Sequence, residues 1–140
     1  MYEIIPDLWI CKRELLKNID MNNIIHINCQ NDLSFMYRYE KFNISMRGQI
    51  LRTDIIRVYN YVKEKIDKIN VELLNNQVII VSCNECSSIS PLIICCFLVK
   101  YGKLDIQESI LALESKTGII IKEDIFFSNI IKKIYNDSKK

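Results

Sequence analysis

The clearest periodicity lies in the middle of the chain. Ile55, Val58, Tyr59, Val62, Ile66 and Ile69 recur at helical steps, with Ile50 ahead of them and charged residues between them. That spacing lines up one apolar stripe and predicts an amphipathic helix from about Arg52 to Ile69. Asp54 falls in the expected first turn, where a carboxylate favours the helix dipole. Gln77 to Val81 (QVIIV) follows as a short continuous apolar run, the pattern of a central strand covered on both faces. After a polar stretch, Pro91 opens PLIICCFLV, and Gly102 stands past its end; proline in the first turn and glycine after the last mark a helix. Two more helices are predicted, Asp105 to Ser115 with Asp105 as N-cap, and Glu123 to Tyr135 with Glu123 and Asp124 in its first turn. Ahead of the long helix, Glu3 to Ile5 and Leu8 to Ile10 flank the turn pair Pro6-Asp7 as two short strands. Arg13 to Asn18 reads as a short helical stretch. Asn23 to Asn28 (NIIHIN) reads as a buried strand and Phe42 to Met46 as a further weak one.

Strands, a helix, a central strand and a run of helices describe an α/β fold: a mixed central sheet flanked by helices. The 140 residues suffice for one domain with a core and leave no room for two. The expected limits are 1–136 for the domain and 137–140 for a polar tail. Hydrophobic residues at 49% and charged residues at 26% fit a globular chain and exclude a disordered one. A net charge of +2 gives no electrostatic case for nucleic acid. The longest apolar run, Pro91 to Val99, has nine residues, short of the ~18 that a membrane span needs. The start MYEIIPDLWICKRELL has early acidic residues and no signal-peptide core, so a cytoplasmic location is expected, with reduced cysteines. The 27 isoleucines, with many Asn and Lys, suggest AT-rich coding of a viral or parasitic kind.

One segment carries chemistry: strand QVIIV, loop SCNECSSIS, helix PLIICCFLV. A polar loop between a buried strand and a helix N-terminus gathers backbone N–H groups, suits an anion, and lowers the pKa of a cysteine at the strand end. Cys83 stands at that end. Ser82, Cys83, Asn84, Glu85, Cys86, Ser87, Ser88, Ile89 and Ser90 are the candidate site residues. Six cysteines and one histidine offer neither a disulfide framework nor a zinc spacing, so no metal and no cofactor are expected. His26, between two isoleucines, reads as a satisfied structural histidine. Cys95 and Cys96 read as small core residues. Trp9, Tyr37, Tyr39 and Phe42 read as core or rim packing, and the lysines at 132, 133, 139 and 140 as a solvated end.

The segment resembles the dual-specificity branch of the cysteine-dependent protein tyrosine phosphatases. Their signature is His-Cys, five residues, then Arg and Ser or Thr, between a hydrophobic strand and a helix. Cys83 falls on the nucleophile and Ser90 on the serine. IIPDLWI resembles the family's first hairpin and NIIHIN its second core strand. The likeness runs over nearly the whole chain, so it implies a dual-specificity phosphatase-like fold. It also implies a degraded site. The arginine position is Ile89, which cannot grip phosphate through a planar fork. The glycine position is Cys86 and the histidine position is Ser82. The general-acid loop matches ISMRGQILR, with Arg47 and Gly48 where a carboxylate belongs. The resemblance therefore implies a pseudophosphatase that acts as a protein-interaction module, a regulator or competitor in phospho-signalling, with a protein partner, phosphorylated or not. A weak or specialised phosphatase using Cys83, and a thiol redox protein using Cys83 and Cys86, are the rival functions. A homodimer is neither implied nor excluded.

Overall fold

A computed structural model describes residues 1–29, 48–83, 89–121, 123 and 125–139. Strands β1 (Tyr2–Ile5) and β2 (Leu8–Lys12) form an antiparallel hairpin. Asp7, in its turn, takes φ 71, a left-handed conformation that Asp tolerates better than most residues. The Asp7 N–H donates to the Glu3 carboxylate at 3.2 Å, and its carbonyl accepts the Ile79 N–H at 2.8 Å, which ties the hairpin to the sheet centre. The predicted short helix at Arg13–Asn18 is a 3-10 helix. Strand β3 is Ile24–Asn28 and β4 is Val78–Cys83. The strand order is β1-β2-β4-β3, with β4 parallel to both neighbours, so the sheet is mixed as expected.

Four α-helices complete the described chain: α1 (Gly48–Leu74), α2 (Ile89–Lys100), α3 (Ile106–Thr117) and α4 (Ile125–Ser138). Leu8, Ile10, Ile27, Ile79 and Val81 from one sheet face join the core with Val58, Val62, Ile66 and Ile69 of α1, Leu92 to Val99 of α2, and Phe127, Ile130 and Ile134 of α4. Helix α2 is buried from Ile89 to Val99 and packs on α1, α3, α4 and β4. It is apolar on every side because it has neighbours on every side.

Several boundaries differ from those read in the sequence. Helix α1 begins four residues before Arg52 and runs five past Ile69. Asp54 therefore lies beyond the first turn, where it pairs with Arg57 at 3.8 Å. Helix α2 begins at Ile89, two residues before Pro91, whose missing N–H still falls among the first-turn groups that lack an intrahelical acceptor. Helix α4 begins at Ile125, so Glu123 is not in its first turn, and Asp124 lies outside the described residues. It continues to Ser138, into the stretch expected as a tail, because the Tyr59 hydroxyl donates to Asp137 and the Ser138 hydroxyl donates to the Tyr135 carbonyl. Asp105 is the N-cap of α3, as read: it accepts the Glu108 N–H at 2.7 Å, and Glu108 returns a bond to the Asp105 N–H at 3.1 Å. Tyr37, Tyr39, Arg47 and the weak strand at Phe42 to Met46 lie outside the described residues. No described helix is long and apolar enough to cross a membrane.

Candidate functional site

Ser82 and Cys83 are the last two residues of β4, and Ile89 and Ser90 the first two of α2. Asn84, Glu85, Cys86, Ser87 and Ser88 lie outside the described residues. The strand before this segment and the helix after it thus stand as predicted from QVIIV-SCNECSSIS-PLIICCFLV, with the strand reaching two residues further and the helix starting two residues sooner. Parallel pairing positions the end of β4: Cys83 has Lys12 as its partner in β2, and Ser82 has Cys11 in β2 and Asn28 in β3. Lys12 is exposed, so a cation stands at the C-terminal end of β2 beside the Cys83 backbone.

Ser82 is fully buried, and three contacts hold it. Its backbone pairs with both neighbouring strands, its carbonyl accepts the Cys29 N–H at 3.0 Å, and its hydroxyl is hydrogen-bonded to Nε2 of His26. The register explains the last contact. His26 pairs with Ile80, two residues before Ser82, so both side chains project from one face of the sheet. That is the face opposite the Ile79 and Val81 core. His26 is satisfied, as read from the sequence. What sequence reasoning missed is its acceptor or donor: the residue immediately before Cys83. Only the β3–β4 register, a non-local property, brings the two together.

Ile89 is 7% exposed and belongs to the apolar core. The residue that the sequence resemblance aligns with the signature's arginine is therefore packed inward with the core. Ser90 is fully buried, and its hydroxyl has no hydrogen-bond partner among the described residues. Helix α2 carries Lys100 in its last turn, where a cation complements the helix dipole.

The two thiols on α2, Cys95 and Cys96, are fully buried. Burial pushes Cys95 up to about 12 and Cys96 well above the ordinary thiol value, so neither supplies a thiolate near neutral pH. The remaining strong electrostatic contacts lie between helices. Lys100 Nζ meets Asp67 at 2.7 Å, and the Tyr101 hydroxyl donates to the same carboxylate. Burial alone would raise the Asp67 pKa; the bonds from Lys100 and Tyr101 outweigh it and hold the carboxyl below its usual value. Tyr59 is pushed up to about 12, first by its hydrogen bond to Asp137 and then by burial.

Solved structures share this architecture from end to end. A leucine-rich repeat and phosphatase domain containing protein from Entamoeba histolytica superimposes with a TM-score of 0.69 at 13% identity, covering 99% of this chain and 92% of that one. A human tyrosine phosphatase-like serine/threonine/tyrosine-interacting protein gives 0.68 at 13% identity, covering 100% and 98%. The human dual-specificity phosphatase DUSP28 gives 0.66 at 9% identity, covering 99% and 98%. The fold is that of the dual-specificity phosphatases. No family model matches the sequence, and no curated protein is similar to it.

Proposed function

We infer that the chain is a catalytically inactive phosphatase-like protein, a pseudophosphatase that works as a protein-interaction module. The observation that carries this reading is Ile89, buried in the core at the signature's arginine position. An aliphatic side chain donates no hydrogen bond and carries no charge to the phosphoryl oxygens. Removal of one preorganised charge-stabilising group costs on the order of 10²–10³ in rate. Loss of a general acid, absent from ISMRGQILR, costs roughly another 10²–10⁴. Even without strict additivity, turnover falls to background. The human structural neighbour described as phosphatase-like and as an interacting protein supports the same reading, since this fold also serves a protein named for interaction.

The test is hydrolysis of an aryl phosphate between pH 5 and 8 by the wild type and by Cys83→Ser. Equal, background-level rates are expected. Clear turnover that disappears with Cys83→Ser would establish a weak or specialised phosphatase instead. Calorimetric titration with phosphorylated and unphosphorylated forms of one peptide then separates a phosphate-dependent interaction from a scaffold indifferent to phosphate.

A further inference from the structure

Two clefts open at the end of α4 and share Ser138 as a common wall. One, of about 360 Å³, lies between the end of α2, the start of α3 and α4; Val99, Leu104 and Tyr135 line it together with Lys103 and Lys139. The other, of about 260 Å³, lies between α1, the end of α2 and α4, and is lined by Tyr59, Lys63, Lys100, Ile134 and Asp137. We propose that this pair of clefts is a docking site for an acidic peptide segment of a partner protein, whose apolar side chains enter the clefts while its carboxylates meet Lys63, Lys103 and Lys139. The site is at the opposite end of α2 from Ile89, and that helix of 12 residues is about 18 Å long. The inference stands on the clefts alone and holds whether or not the chain hydrolyses phosphate.

The sign of the partner follows from which charges already have a task. Asp105 and Glu108 border the first cleft, and both are engaged in the capping box, where the N-terminal dipole of α3 offsets their charge. In the second cleft Asp137 accepts the Tyr59 hydroxyl, and Lys100 is paired with Asp67 at 2.7 Å. Lys63, Lys103 and Lys139 are exposed and have no carboxylate at ion-pair distance among the described residues. Lys139 lies 4.5 Å over the Tyr135 ring and Lys133 4.2 Å over the Tyr59 ring, so each cleft has an aromatic wall that carries a cation. Lys103 takes φ 59, a left-handed conformation that favours glycine. A lysine kept there in spite of the strain points to a use for its charge.

A peptide fits these clefts better than a membrane surface does. An anionic bilayer meets an uninterrupted patch of several Lys and Arg, whereas exposed Asp105, Glu108 and Asp137 interrupt this one. Each cleft sets apolar walls beside a cation, which suits an apolar side chain flanked by a carboxylate. Ile134 and Asp137 line one cleft and Tyr135 and Lys139 the other, so the two lie on adjoining sides of one helical turn. A helix with its side chains is about 10–12 Å across and an extended chain rises roughly 3.3 Å per residue, so about three to four residues carry a peptide from one cleft to the next.

The experiment selects binders to the whole chain from a phage-displayed library of random peptides and measures the leading sequence, made synthetically, by fluorescence anisotropy. Enriched sequences are expected to place Asp or Glu beside apolar residues about three to four positions apart. Ser138→Trp fills the shared wall without changing charge and is expected to weaken the peptide about tenfold. Lys103→Gln combined with Lys139→Gln should weaken it about fivefold, and raised salt should weaken the wild type in the same direction. Lys12→Gln combined with Lys17→Gln, outside both clefts, should leave the affinity unchanged. The lysine variants are exposed changes, so they decide the matter even where Ser138→Trp does not fold. No enriched peptide, enriched peptides without acidic residues, or equal loss in the two lysine pairs overturns the proposal. So does full affinity in a folded Ser138→Trp. Co-sedimentation with phosphatidylserine vesicles that needs Lys103 and Lys139, with no peptide enriched, would assign the clefts to a membrane surface instead.

Discussion

Position 89 sets two requirements against each other. An aliphatic residue there completes the core, and on the proposed function an arginine there would complete a phosphate cradle. At 7% exposure Ile89 meets the first requirement. Ile89→Arg is therefore expected to lower stability, since it buries a charge in an apolar surrounding. It is also expected to raise affinity for phosphate, sulfate or vanadate about tenfold to hundredfold, the worth of a bidentate charge-assisted contact. Melting temperature and oxyanion affinity are to be measured on the same samples. A variant that folds normally and binds oxyanions no better than the wild type would remove the case that this loop is a degraded phosphate cradle. The count of five residues between Cys83 and Ile89 was readable in the sequence. The burial was not, because it depends on how α2 is surrounded by α1, α3 and α4. The His26–Ser82 bond was invisible for a related reason: 56 residues separate the partners, and only strand register joins them.

Local signals fixed the elements well wherever they were strong. The capping box at Asp105 and Glu108 was readable as an N-cap, and α3 starts one residue later. At its other end Gly118 adopts φ 70, and its N–H reaches the Glu114 carbonyl at 2.8 Å, a left-handed helix stop. Signals without a cap misled. Helix α1 has no acidic residue in its first turn and no basic residue in its last, and its apolar stripe thins before its ends, so its periodicity understated it at both. Helix α2 starts two residues ahead of the proline that marks it in the sequence, because proline is tolerated within a first turn and need not open it. The N-cap prediction is specific. Asp105→Ala should cost about 1 kcal/mol in urea denaturation, since it leaves the Glu108 N–H without its acceptor. Asp105→Ser should recover most of that loss, and equal loss in both variants would argue against a capping role.

At the scale of the molecule, polar contacts at the sides of the apolar core join α1 to its neighbours. Asp67 of α1 receives Lys100 at the end of α2 and Tyr101 just beyond it, and Tyr59 of α1 reaches Asp137 of α4. Their pKa shifts predict a stability plateau with two edges. Asp67 has a folded pKa below its unfolded value near 3.9, so its contribution is present above that value and is lost as pH falls through the folded pKa. Tyr59 has a folded pKa of about 12 against about 10 unfolded. Its contribution is present below about pH 10 and is lost as pH rises from there toward 12. Tyr101, raised first by burial and then by its bond to Asp67, adds to the alkaline edge with the same sign. Asp67 is 42% exposed and Lys100 30%, so solvent screening limits the acid arm to the range of a surface pair, roughly 0.5–1 kcal/mol. Urea midpoints measured from pH 3 to 11 test both edges. Asp67→Asn should lower the plateau and flatten the acid edge while taking only the small Asp67 contribution from the Tyr59 part of the alkaline edge. Tyr59→Phe should flatten the alkaline edge and leave the acid edge unchanged. If Asp67→Asn keeps the full acid dependence of the wild type, the helix-bridging carboxylate is not what acid titrates, and the contact joins α1 to α2 without contributing to their stability.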